Sequence, residues 1–402
     1  MGLRLFSERG ENMIDFKKLA EKNHPYVVEM RRYFHEHPEL STQEVNTSKR
    51  ICEELDAMGI PFTAYPDYTV IATIDSGKPG KTILIRADID ALPVTETTGL
   101  PFASKTPGIM HACGHDTHGA MLLGIARSLN EVKDQLCGKI LLGFQVAEEN
   151  LKGSRTMKQY VLDMGGADHS LAVHVGNARD IGTITVVPGP FASGVITYKT
   201  FFYGKGGHGS MPHAAIDPIK PACEYVLKLA ALPTSQYDAK DPIVFSTCTI
   251  QGGSGAPNVI PDDAYVFGTV RYFNKTLTEK IQHDIETLAD CVARTYGCTS
   301  KVEYTFDPMI PVENNPEVTA ICQEVARGMG LNLVTEEMGM GSDDMAMLVD
   351  AFPGCYAWLG TANPAKGIDH VANHNSNFTV DEDALAYGTE FLMKSAWELL
   401  NR

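Results

Sequence analysis

Cys113 and His115 stand two apart in the run Met110-His111-Ala112-Cys113-Gly114-His115-Asp116-Thr117-His118. The glycine between them allows a turn that points both side chains the same way. Further along come the pair Glu148-Glu149, then His174, then His374 within Asn373-His374-Asn375. Thiolate, imidazole and carboxylate are the donor types taken by zinc and neighbouring transition metals. Alone, Cys-Gly-His reads as structural and Glu-Glu as an exposed acidic pair; together they change the balance. Cys113, His115, Glu149, His174 and His374 supply five donors. A single tetrahedral zinc with one position kept for water needs fewer, so the surplus points to two ions sharing a bridging group. Glu148 is the expected general base, because adjacent glutamates at a strand end let one hold metal while the other moves protons. A carboxylate in that role contributes ~10²–10⁴-fold. Hydrolysis is the chemistry implied. His35, His37, His169, His283 and His370 lack such company and read as packing or surface histidines.

Positioning these groups requires a sheet. Apolar spacing predicts helices over 24–35, 47–58 and 118–129, with β-rich runs at 69–74, 82–89, 140–146 and 171–175. That alternation predicts an α/β unit with a parallel or mixed sheet. Ligands of such sheets gather at the carboxyl ends of strands, where Asp88, Asp90, Glu148, Glu149 and His174 all fall. The pattern changes near Val187-Pro188-Gly189-Pro190. From there the order is strand 194–203, helix 218–231, strand 243–251, strand 264–271, helix 278–296 and strand 301–306, a β-α-β-β-α-β split unit. Helix and strand patterns resume over 315–330, 355–360 and 382–400. The donors flank this segment, so it is expected to be inserted into one catalytic domain. The expected division is a first catalytic part at 13–187, an inserted lid and dimerisation domain at 188–304, and a second catalytic part at 305–402.

Bulk properties exclude several functions. The chain has 402 residues, 44% hydrophobic and 21% charged, with a formal net charge of −16. Such a charge opposes sequence-independent nucleic-acid binding, which needs a Lys/Arg surface. No apolar stretch is long enough to span a membrane. Nine cysteines, with no Cys-x-x-Cys pair, fit free thiols in a reducing cytoplasm better than a disulfide framework. Residues 1–12 read as a ragged extension, with Met13 opening the first amphipathic segment. A catalytically silent metal-binding protein stays open as another class, although such a protein has no use for an unliganded base.

The ordered series of motifs resembles the dinuclear metallo-amidohydrolases related to aminoacylase and carboxypeptidase G. The branch it resembles holds hippurate hydrolase, N-acyl-amino-acid amidohydrolases and indole-acetyl-amino-acid hydrolases. Over nearly the whole chain it includes Arg31-Arg32-Tyr33-Phe34-His35 with Pro38-Glu39-Leu40, Arg86-Ala87-Asp88-Ile89-Asp90-Ala91-Leu92-Pro93 and the 110–118 run. Ala147-Glu148-Glu149, Ala172-Val173-His174, Gly206-Gly207-His208-Gly209-Ser210, Asn258-Val259-Ile260-Pro261-Asp262 and Gly268-Thr269-Val270-Arg271 complete it.

The resemblance implies a catalytic domain of zinc-peptidase type with a ferredoxin-like inserted domain. It implies two divalent ions per subunit, with zinc, manganese, cobalt and nickel all open, held by Cys113, His115, Glu149, His174 and His374. Glu148 matches the general base, and Asp90 matches the aspartate that orients a ligand histidine. His208 matches the histidine that polarises the scissile carbonyl, often across a dimer; Asn258 and Arg271 match positions that grip a carboxylate. The implied reaction is attack of metal-bound hydroxide on the amide of an N-acyl or N-aroyl amino acid, by a cytoplasmic homodimer or homotetramer. A dipeptidase or aminopeptidase on the same scaffold is the alternative. Departures from the family pattern are Asn150-Leu151-Lys152-Gly153 after Glu149, Asp88 in a usual histidine's place, Asp343 where glutamate is usual, and polar Asn375-Ser376-Asn377 after His374.

Overall fold

The computed structural model describes residues 14–336 and 338–402. The extension read at 1–12 and the opening at Met13 lie outside them. Two compact units emerge: residues through Gly189 with 314–336 and Met347–Arg402, and Pro190–Glu313 with Met338–Ala346.

The first unit is built on an eight-stranded mixed sheet. Its spatial order is Phe62–Ala64, Val70–Asp75, Lys139–Gln145, Thr82–Asp88, His169–Asp180, Gly354–Ala362, Thr183–Thr185 and Asn332–Val334. Thr82–Asp88 runs parallel to both of its neighbours, and Gly354–Ala362 runs parallel to His169–Asp180. Val70–Asp75 pairs antiparallel with Lys139–Gln145. The central strands are buried almost end to end, as continuous Val/Ile/Leu runs require when helices cover both faces. This α/β mixed sheet is the fold class expected from the alternating pattern.

Helix His115–Glu131 is buried along nearly its whole length. Helix Phe16–Glu36 packs against it closely, because Gly124 has no side chain where a Cβ would meet Val27 Cγ2 at 2.3 Å. Phe16–Glu36 begins eight residues before the periodicity suggests: Asp15 caps it by accepting from Lys18 N, and Pro25 is accommodated inside. The periodicity did not reveal helix Gly153–Asp163, nor the short strands Thr183–Thr185 and Asn332–Val334, which pair parallel with each other. No helix among the described residues is long and apolar enough to cross a membrane.

The second unit has a four-stranded antiparallel sheet in the order Ile243–Gly252, Asp263–Tyr272, Gly194–Tyr203, Thr299–Tyr304. Along Asp263–Tyr272 every second residue is buried, so Ala264, Val266, Val270 and Tyr272 face one side. Helices Ile219–Gln236 and Thr278–Thr295 cover that side, with Tyr225, Leu229, Ile281 and Ile285 in the shared core. With its helices the unit reads β-α-β-β-α-β. Met338–Ala346 groups with it through backbone bonds such as Gly339 N to Phe191 O, a contribution from far along the chain that local pattern does not signal.

Candidate metal centre

Strand ends, a tight turn and two left-handed backbone positions bring the donors of the first unit together. Gly114 has φ +93°, and a Cβ there would meet Val175 Cγ2 at 2.4 Å. Only glycine fits, and the turn it makes sets Cys113 and His115 on one side as the buried helix begins. His115 Nδ1 lies 3.0 Å from both the carbonyl and the Oδ1 of Asp90. Two acceptors on that nitrogen place the proton there and leave Nε2 with a lone pair. His115 Nε2 is 3.9 Å from Glu149 Oε1, 4.0 Å from Glu148 Oε2 and 3.6 Å from Asp88 Oδ2.

The two glutamates leave the end of strand Lys139–Gln145 through Ala147, which adopts φ +57°, a conformation uncommon for a residue with a Cβ. The turn closes on itself, with Leu151 N donating to Glu148 O and Lys152 N to Ala147 O. Asp90 Oδ2 accepts from Glu149 N at 3.0 Å, so one carboxylate steadies both His115 and Glu149.

His174 sits on strand His169–Asp180, its Nδ1 donating to Val175 O at 2.7 Å and its ring stacked on Trp358. His174 Nε2 is thereby presented 3.5 Å from Cys113 Sγ. His374 also has a left-handed backbone, φ +69°, held by its N–H on Ala112 O. Asn373 Nδ2 donates to Cys113 O and Val175 O, tying this late loop to the earlier elements. His374 Nε2 stands 3.3 Å from Cys113 Sγ and 3.5 Å from Glu149 Oε1. These side chains form overlapping donor groups within metal-sharing distance, among them Cys113 with His115 and His174, Cys113 with Glu149 and His374, and His115 with Glu148 and Glu149.

The donor set fits divalent ions. His115 Nε2 and Glu149 Oε1 are buried without a hydrogen-bond partner, which such groups rarely tolerate unless a cation is to be met. Burial pushes the Cys113 thiol well above its ordinary value, so a thiolate there calls for neighbouring positive charge. Burial likewise raises Glu149 and lowers His174. Cys113 belongs to two of the groups, as a donor common to two ions would.

Asp88, His115 and His118 also cluster, but both nitrogens of His118 are engaged: Nδ1 with Asp88 Oδ1, Nε2 with Val175 N–H. Burial opposes ionisation of Asp88, yet Arg86, His115 and His118 hold it well below the usual carboxylate range. Its charge is satisfied from behind.

The remaining sequence candidates lie in the second unit. His208 is exposed on a two-residue strand opposite Val259, next to Asn258, whose carbonyl accepts from Gly209 N. His208 Nδ1 is 2.8 Å from Ser210 Oγ. Arg271, half-buried on strand Asp263–Tyr272, donates to Ser342 Oγ at 2.6 Å. Asp343 is buried and accepts from Met345 N. Ser41, Glu44, His118 and Asn373 were not singled out from sequence. Asn373 and His118 had a signal, adjacency to His374 and a place in the 110–118 run; Ser41 and Glu44 are linked to the donors only through space.

The description "Peptidase family M20/M25/M40" matches residues 84–398. The chain is 38% identical to thermostable carboxypeptidase 1 of Saccharolobus solfataricus over 368 residues, 90% of this chain and 92% of that protein. It is 35% identical to an N-acetylcysteine deacetylase of Bacillus subtilis over 376 residues, 93% of this chain and 96% of that one. A solved structure from Bacillus subtilis, described as a dinuclear metal-binding peptidase of the M20 family, is 34% identical with a TM-score of 0.80, covering 95% of this chain and 99% of its own. The converging donor groups and the dinuclear relative support two divalent ions in the first unit. The fold, the donor cluster and these likenesses agree: the chain belongs to peptidase family M20/M25/M40.

Proposed function

We propose that this amide-bond hydrolase cleaves N-acyl or N-aroyl amino acids to a carboxylic acid and a free amino acid, with Glu148 as the proton-transferring residue. The observation that carries it is the meeting of thiol, imidazole and carboxylate donors beside a second, buried carboxylate, Glu148, 4.0 Å from His115 Nε2. The named deacetylase at 35% identity supports the substrate class.

Cys113, His115, Glu149, His174 and His374 would hold the ions, and Cys113 favours a softer metal such as zinc over manganese, cobalt or nickel. When bound, two such ions polarise a carbonyl oxygen and make water a nucleophile near neutral pH. Asp90 fixes the His115 tautomer. Glu148 accepts a proton from the attacking water and delivers it to the leaving nitrogen. His208 donates to the developing oxyanion. Arg271 grips the substrate carboxylate with its planar fork, and Asn258 assists.

The second unit is assigned the roles of lid and dimerisation domain. In support of a homodimer, Ile243–Gly252 is an edge strand carrying exposed Val244 and Ile250, and the adjoining helix exposes Leu227 at 74%. A homotetramer is the larger assembly consistent with it. All nine cysteines are free, in keeping with a reducing cytoplasm.

A panel of hippurate, an N-acetyl amino acid and an unblocked dipeptide, offered to protein reconstituted with each metal in turn, tests the proposal. Blocked substrates should be cleaved in preference. The carboxypeptidase at 38% identity favours a second reading, a peptidase on the same scaffold. Faster turnover of the unblocked dipeptide would replace the first reading with the second.

A further inference from the structure

Glu44 is fully buried and directly precedes helix Val45–Ala57, the place where a side chain ordinarily caps the helix. It makes no such cap. Glu39 does so instead, accepting from Asn46 N and from both the N–H and the hydroxyl of Thr47. Glu44 reaches away, and its Oε1 accepts from Ala147 N at 2.8 Å. Ala147 is the left-handed residue from which Glu148 and Glu149 project. On its far side Lys152 N and Gly153 N both donate to Ala147 O, and Glu149 N donates to Asp90 Oδ2. A Cβ at Gly153 would lie 1.7 Å from Val146 O, so the turn has no slack there.

The same loop touches the site at a second point. Ser41 Oγ donates to Asp90 Oδ2 at 2.7 Å, the oxygen that also accepts from Glu149 N. The loop is itself anchored: Ala91 N donates to Glu39 O, Leu40 bridges to Ala91, and Thr42 takes a left-handed φ of +70°. A non-glycine left-handed residue persists only when its surroundings over-determine it. At Ala147 the surroundings on the amino side are Glu44.

We infer that Glu44, with Ser41, is a positioning residue of this enzyme: it locks the left-handed turn at Ala147 so that Glu149 and Glu148 are held together at the metal centre. The inference rests on the assignment of Glu149 as a ligand and Glu148 as the base. Neither Glu44 nor Ser41 belongs to the donor groups; each acts through another residue. Supporting partners of this kind, when removed, typically weaken metal affinity or activity by ~10–100-fold.

The test is Co²⁺ titration followed by visible absorption, together with kcat and KM, on folded full-length variants. Glu44→Ala should bind Co²⁺ ~10–100-fold more weakly and lose kcat with KM little changed. Glu44→Gln, which keeps an acceptor for Ala147 N–H, should recover most of both. Adding Ala147→Gly to Glu44→Ala should also restore part of the loss, since glycine adopts the left-handed turn without a restraint. A merely structural Glu44 would lower the melting temperature and leave Co²⁺ affinity and kcat per folded molecule at wild-type values, and that result overturns the inference. Should Glu44→Ala not fold, Ser41→Ala takes its place: about tenfold weaker Co²⁺ binding supports the loop's role, and unchanged binding overturns it. Glu148→Gln, run in parallel, separates the layers. If it is inactive while Glu44→Ala is wild-type, only the positioning role fails; if Glu148→Gln stays active, the underlying mechanism fails.

Discussion

The two units hold their polar residues by opposite means. In the first, the donors are mostly buried and are reached through unusual backbone: Thr42, Ala147, Leu151 and His374 all have positive φ without being glycine. In the second, none of the described non-glycine residues has positive φ, and His208 lies exposed on a short hairpin-like pairing with Val259. Strain and burial accumulate where several charged groups must be fixed against one another, because only a rigid surround holds them at 3–4 Å. His208, proposed to meet a ligand that comes and goes, has no such surround.

Substitutions can sharpen or break this contrast, and the largest effect is expected in the buried unit. Glu148→Gln should lower kcat by ~10²–10⁴-fold with metal content unchanged by elemental analysis. Activity persisting in that metal-loaded variant would remove Glu148 from the mechanism. His208→Ala, in the exposed unit, should lower kcat by ~10²–10³-fold while leaving thermal stability and metal content untouched. A large drop in melting temperature would show that His208 supports the fold. Asp90→Asn should act through the metal: the backbone carbonyl still accepts from His115 Nδ1, but the carboxylate charge that steadies both His115 and Glu149 is lost, and affinity should fall ~10–100-fold. Equal metal affinity in a chelator competition would contradict that role.

The smallest effect is on stability and has a definite sign. Burial first, and then the charge of Asp90, push the Glu44 carboxyl up to about 7 from an ordinary 4.5. A carboxyl raised on folding binds its proton more tightly in the folded state. The associated stabilisation is complete below about 4.5 and is lost as pH rises through about 7. Glu44→Gln carries no ionisable group, so its stability relative to wild type should rise between pH 5 and pH 8, by at most roughly 3 kcal/mol. A pH-independent difference in denaturant unfolding would show that Glu44 does not titrate in that window.

Legibility from sequence followed the range of the interactions. Strands Thr82–Asp88 and Lys139–Gln145 were legible because β-branched and apolar runs report burial locally. The β-α-β-β-α-β order of the second unit was legible for the same reason, as each period changes at a turn. Helix Gly153–Asp163 was obscured by the irregular turn it follows, and Asn332–Val334 is too short to show a period. Met338–Ala346 joins the second unit through long-range hydrogen bonds, such as Gly339 N to Phe191 O and Arg271 to Ser342 Oγ, that local pattern does not signal.

Within the metal centre, residue types and positions show the chemistry available: a thiol, three imidazoles and two adjacent carboxylates, with an aspartate ahead of them. Those are covalent facts of the chain. Which nitrogen of His115 faces inward, that His118 spends both of its nitrogens elsewhere, and that Glu44 reaches Ala147 across a sequence separation of 103 residues were decided by tertiary structure alone. Such contacts follow from packing a whole sheet and its helices, and local residue patterns do not encode the distances between strand ends.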